Sequence, residues 1–166
     1  MTAELVYDPP MPNIGDCIVQ LTRDFAAPRA LVWTFFTDAT RLASWFGPTG
    51  VHVDPTSVVV EPHVGGRWDL DMVVDATGQV SAIRAEIVAI RAPEYLEGRM
   101  ESRPPGEAVD DDAEPIVLRI WLHELAGATR LTLHQGPFGP GFRDVTSEGW
   151  ELSFAKIDHL LERNPE

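Results

Sequence analysis

The chain has 166 residues, 44% hydrophobic and 23% charged, the make-up of one globular domain with a core of its own, which excludes wholesale disorder. A formal net charge of -13 excludes nucleic acid and anionic membrane as main partners, because gripping phosphate takes clustered Lys and Arg. The single cysteine, Cys17, excludes an intrachain disulfide and cysteine-rich metal sites.

Pro9, Pro10, Pro12 and Gly15 are too many breakers for regular structure, so residues 1–17 are expected to form an N-terminal tail on a domain spanning 18–163. No basic-then-apolar leader precedes the first strand and no apolar run approaches a membrane span, which predicts a cytoplasmic protein. From Ile18 to Phe25, Val19, Leu21 and Phe25 share one face of a strand and Gln20, Thr22 and Asp24 the other. Arg23 interrupts the apolar face; it either pairs with an acidic group at the strand end or reaches into a cavity.

Pro28 suits a first helical turn. Leu31, Val32, Phe35 and Phe36 then make an apolar stripe with Trp33 nearby, predicting a helix to Thr37. Asp38 or Thr40 can cap a second short helix carrying Leu42, Trp45 and Phe46 and closed by Gly47-Pro48. Strands follow. Ser57–Glu61 is rich in β-branched residues, and Trp68, Leu70 and Met72 alternate with Arg67, Asp69 and Asp71. Ala76-Thr77-Gly78 reads as a turn. Val80–Ile90 reads as one strand of mixed faces, and Tyr95–Met100 as another after Pro93.

Residues 103–114, with Asp110-Asp111-Asp112, read as a solvated loop. Ile116, Leu118, Ile120 and Leu122 then alternate with Val117, Arg119, Trp121 and His123. After a turn at Gly127, Leu131, Leu133 and Gln135 alternate with Arg130, Thr132 and His134. A Gly/Pro-rich link, Gly136–Gly141, leads to a long helix from Asp144 to Arg163. There Trp150, Phe154, Ile157 and Leu161 fall at i, i+4, i+7 and i+11 on one stripe. Asp144, Thr146 and Ser147 offer oxygens at its start, Glu148, Glu151 and Arg163 suit its dipole, and Asn164-Pro165 ends it. Strands joined by short turns pair as a twisted meander, and the last helix needs a broad apolar surface, so the fold class is α+β with a helix on one face of a curved antiparallel sheet.

The stretch Arg23–Pro28 with Val32-Trp33, the segment Leu42–Pro48, Val64–Trp68, Thr129–Leu133 and Gly149-Trp150 together resemble the START-like, helix-grip (SRPBCC) superfamily. Within it, the chain is similar to the branch related to the C-terminal domain of the activator of Hsp90 ATPase. The resemblance implies a curved antiparallel sheet wrapped around the long C-terminal helix, with two short helices after the first strand. It also implies a binding cavity between helix and sheet. Relatives of this kind include lipid carriers, polyketide cyclases, drug-binding proteins and co-chaperones, so fold does not fix activity.

The residues expected to line that cavity are Trp33, Trp45, Phe46, Trp68, Leu70, Met72, Gln135, Trp150, Phe154 and Ile157. The competing reading for the aliphatic members and Phe154 is plain core; large rings at element ends are well placed for a mouth. Gln135 shares the inward face with Leu131 and Leu133, so its buried amide either binds a ligand carbonyl or hydroxyl or satisfies nearby backbone. His63 with Glu61 is the candidate general acid/base pair, should the cavity catalyse anything. Trp121, on the outward face, is covered either by the tail or by a second copy in a homodimer.

The five histidines make no spaced ligand pair and no HExxH occurs, so neither metal nor cofactor is expected. No GxSxG, P-loop or dinucleotide fingerprint occurs, and covalent catalysis has no evident carrier. The leading expectation is therefore a cofactor-free protein binding a small hydrophobic molecule (lipid, polyketide or drug-like). The alternatives are a polyketide cyclase or hydrolase, with His63, Gln135 or Arg23 supplying polarisation, and a co-chaperone stimulating an Hsp90-type ATPase.

Overall fold

The computed structural model describes residues 17–102, 115–139 and 141–163. The expectations for the tail, the acidic loop and the Asn164-Pro165 stop lie outside them. No helix among the described residues is long and apolar enough to cross a membrane.

The first strand, β1 (Val19–Phe25), is followed by two short helices, α1 (Arg29–Thr37) and α2 (Ala39–Trp45). Pro28 sits at the N-cap of α1, and the Asp38 carboxylate caps α2 by accepting from the Arg41 amide. Strands β2 (Val51–Val53), β3 (Val59–Val60), β4 (Trp68–Val74), β5 (Val80–Ile83), β6 (Ala85–Arg91), β7 (Tyr95–Met100), β8 (Val117–Leu125) and β9 (Ala128–Gly136) precede the last helix, α3 (Phe142–Arg163). One antiparallel sheet runs β1-β9-β8-β7-β6; in the other, β4 pairs with β2, β3 and β5. This is the helix-grip architecture: first and last strands pair, Val19 opposite Gln135 and Phe25 opposite Thr129, and α3 packs on the inner face.

The core follows the alternation of the strands. Trp68 and Leu70 on β4, Leu118, Ile120 and Leu122 on β8, and Leu131 and Leu133 on β9 are buried together with Trp150, Phe154, Ile157 and Leu161 of α3. Buried polar groups tie the helices to the strands. The Trp45 and Trp68 indoles donate to the carbonyls of Phe35 and Phe36, each at 2.8 Å, and the Thr129 hydroxyl donates to the Ala27 carbonyl at 2.7 Å. Each satisfies a donor that would be costly if left unpaired.

Three expectations need correction. The stretch Val80–Ile90 is two strands, not one: the chain leaves β4 at Arg84 and joins β7, so each half serves a different sheet. The Arg84 guanidinium holds this break, donating to the carbonyls of Leu70 and Ile83 and to Asp71. Ser57–Glu61 keeps only the two residues of β3, because Pro55–Ser57 is a single 3-10 turn capped by Asp54; β2, at three residues, is too short to show an alternation. Helix α3 starts at Phe142, so Thr146 and Ser147 lie within it rather than at its cap. Trp121 faces away from Leu118, Ile120 and Leu122, as expected, and is covered, with the rings of Tyr95 and the half-buried His134 at 5.2 and 5.1 Å.

The two sheets meet where Arg67 bridges to Glu86, with Ile87 N–H donating to the Gly66 carbonyl and Gly65 N–H to the Ile87 carbonyl. Glu61 doubles back over this junction so closely that a Cβ on Gly66 would lie 2.0 Å from the Glu61 carbonyl oxygen. Backbone must move to admit it. Gly66→Ala is therefore expected to cost about 1–3 kcal/mol, as overpacking does, read as a lower urea midpoint.

Arg67 also clamps the junction electrostatically, reaching Glu101 at 2.9 and 3.0 Å and Asp69 at 3.1 and 3.3 Å. Its guanidinium holds the Glu101 carboxyl below the ordinary carboxylate range. A depressed folded-state pKa means stabilisation that is complete above the unfolded value of about 4.3 and lost as pH falls through the folded one. Arg67→Met should lose about 1 kcal/mol at neutral pH, the scale of a half-exposed pair, and its stability should decline less steeply under acid. Urea midpoints taken down a pH series check both.

Candidate functional site

Between the N-terminal half of α3 and the open side of the sheet lies a cavity of about 180 Å³. The turn after α2 gives it Phe46, Gly47 and Pro48; β4 gives Trp68 and Met72; β5 gives Ser81 and Ile83. Met100, Ser102, Ile116, Leu118, Gln135 and Phe138 form the floor and far side. The roof is a helical stripe, Thr146, Gly149, Trp150 and Ser153, at i, i+3, i+4 and i+7 of α3. The wall is almost wholly apolar and carries no formal charge among the described residues.

Gly149 stands out in that stripe. Glycine in a helix interior costs about 0.5–1 kcal/mol relative to alanine, and nothing within 4 Å of a Cβ built there would crowd it. Close packing does not require a glycine at this position; what its missing side chain leaves is space on the cavity side of the helix.

Of the residues expected to line the cavity, Phe46, Trp68, Met72, Gln135 and Trp150 do so. Trp33, Trp45, Leu70, Phe154 and Ile157 are placed behind the wall, in the solid core. Trp45 is the clearest displacement: its ring stacks on Phe154 at 6.1 Å and meets Phe36 at 5.0 Å, so it buttresses Trp150 rather than facing a guest. The wall residues absent from that set are mostly small or flexible, Gly47, Pro48, Ser81, Met100, Ser102, Thr146, Gly149 and Ser153, with Ile83, Ile116, Leu118 and Phe138 the bulky ones. The signal that could have found the roof was the 146/149/150/153 spacing on the α3 stripe.

Gln135 is buried, and its side-chain oxygen accepts from the Trp150 indole at 2.7 Å. The Ser153 hydroxyl is spent on the Gly149 carbonyl, one turn back, at 2.8 Å. Arg23 does not reach the cavity; it pairs with Asp158 and Glu151 on α3, its guanidinium lying 5.7 and 6.0 Å from the ring centres of Phe25 and Phe154. His63 is exposed in the turn after β3, its Nδ1 3.1 Å from the Val64 carbonyl, while Glu61 accepts from the Arg67 amide. That acid/base pair is not formed and stands away from the wall.

Lys156, the single lysine of the chain, fastens α3 to the cavity rim. Its ammonium donates to the carbonyls of Pro48 and Val51 at 3.2 and 3.0 Å, and burial lowers its pKa, with Asp75 opposing the shift. No group of three or more His, Cys, Asp or Glu among the described residues is arranged to hold a metal ion.

A family model described as activator of Hsp90 ATPase homolog 1-like protein matches residues 26–162. Among solved structures, a Chromobacterium violaceum protein aligns over 88% of this chain and 97% of its own at 21% identity, with a TM-score of 0.76. A Silicibacter pomeroyi protein titled AHSA1 aligns over 87% and 97% at 23% identity and a TM-score of 0.72. A Nitrosomonas europaea protein aligns over 91% and 97% at 21% identity and 0.72. At such identities the likeness shows the fold. No curated protein matches the sequence.

Proposed function

The chain belongs to the activator of Hsp90 ATPase homolog 1-like family, and from that premise we propose that it binds a small hydrophobic molecule in the cavity under α3. The observation that carries this reading is the apolar chamber of about 180 Å³, roofed by a helix stripe with a glycine at its centre. A cavity of about 150 Å³ in a protein core takes up benzene, so the guest is a ring-sized molecule or a pair of fused rings. Met72 and Met100 give the wall some adaptability, since thioether chains repack readily.

Trp68 and Trp150 both stand in the wall, so occupancy should change tryptophan fluorescence and raise the melting temperature by mass action. The test is a panel of lipids, aromatic polyketides and hydrophobic drugs read by both signals. Ring-sized members should shift both, and silence across the panel would overturn the proposal. The cyclase or hydrolase alternative is left with Gln135 alone, because Arg23 and His63 lie elsewhere, and nothing in the site favours a co-chaperone.

A further inference from the structure

The polar groups of the cavity wall differ in what they have left to give. An indole N–H donates and never accepts, so the Gln135 terminus that meets Trp150 at 2.7 Å must be the amide oxygen. That assignment fixes the amide: its NH₂ is the other terminus. Gln135 is 7% exposed and lines the cavity, and among the described residues its nitrogen has no acceptor. The Ser153 hydroxyl and the Trp150 indole are already committed. That donor faces an otherwise apolar chamber that water can still reach, and a guest that covers it without offering an acceptor strips it of water and gives nothing back.

We infer that Gln135 is the specificity-determining residue of the cavity, and that the guest is a neutral molecule with a hydrogen-bond-accepting oxygen, of the cyclic or aromatic ketone class, held by the Gln135 NH₂. The inference rests on the proposed ligand binding and deepens it. Neutrality follows from the wall: an ionised guest would shed its hydration with no counter-charge among the described lining residues. The accepting oxygen follows from the donor, which a pure hydrocarbon would leave unpaired. Trp150 acts at one remove as a positioning residue, since its N–H holds the amide in the one orientation that turns the NH₂ toward the guest.

The test compares 1-tetralone, tetralin and the tetralin-1-carboxylate anion by calorimetry on the wild-type chain and on the double variant Gln135→Leu/Trp150→Phe. That variant removes the donor and the indole N–H together, so neither is stranded. The expected result is that the preference for ketone over hydrocarbon falls about tenfold in the variant, a difference of about 1.4 kcal/mol, and that the anion binds weakest. Comparing ratios cancels the cost of desolvating the ketone itself. Should the variant not fold, the carbonyl stretch of bound 1-tetralone in the wild-type protein decides: a frequency below its alkane-solution value supports the hydrogen bond, and an alkane-like value overturns it. Equal preference in both proteins, or tightest binding of the anion, overturns the role of Gln135 and leaves the cavity reading standing. No binding of any of the three sinks both.

Discussion

Gly149→Leu should abolish binding of any cavity guest, by a hundredfold or more, while leaving the protein as stable as before or slightly more so. The position lies on the roof stripe between Thr146 and Ser153, and a Cβ built there meets nothing within 4 Å. Leucine would send four carbons into a chamber of about 180 Å³, leaving too little room for a ring. Stability moves the other way. Replacing a helix-interior glycine recovers about 0.5–1 kcal/mol of propensity, and the new side chain buries apolar surface. A gain of about 1 kcal/mol raises the melting temperature of a chain this size by about 2–4 °C. Calorimetric titration paired with a thermal melt gives both readings. Retained binding with leucine in place would place the guest elsewhere, and a large loss of stability would mean the space at Gly149 is needed by the fold.

Phe154→Ala should have the largest effect on stability, about 3–5 kcal/mol, the range for truncating a fully buried phenylalanine. Its ring has no exposure and touches the aromatic system on three sides: edge-on to Phe25 at 5.6 Å, stacked with Trp45 at 6.1 Å, and tilted against Trp150 at 5.5 Å. It is the point where β1, α2 and α3 converge. Since a domain is stable by about 5–15 kcal/mol in all, this one truncation could consume a third or more of the margin. Urea unfolding should show a lower midpoint with an unchanged slope. A loss below 1 kcal/mol would mean that α3 is not anchored through this cluster.

These two positions, five residues apart on one helix, show what a sequence yields and what it withholds. The 3.6-residue stripe of Trp150, Phe154, Ile157 and Leu161 marks α3 and its buried face, because periodicity records burial. It does not distinguish a ring against a wall from a ring against a void, and Trp45 and Phe154, expected at the cavity, stand against each other in the solid core. Voids are read instead from small residues on an otherwise bulky face, as at Gly149. The strand alternation of Trp68, Leu70 and Met72 and of Leu131, Leu133 and Gln135 was legible because each keeps one register throughout. The break at Arg84 was not: no proline or glycine marks it, and its cause is tertiary, a guanidinium meeting the carbonyls of Leu70 and Ile83 and the carboxylate of Asp71.

The tether at the cavity rim makes this chain its own reporter. With one lysine in the sequence, acylation by an amine-directed reagent can modify a single side chain, and that amine is occupied by the carbonyls of Pro48 and Val51. The amine reacts faster once the 48–51 segment lets go of α3, because the two carbonyls no longer hold its protons. Labelling at Lys156, resolved from the N-terminal amine by peptide mass, therefore reports how firmly that segment is fastened, and a guest against Pro48 that steadies it should slow the reaction.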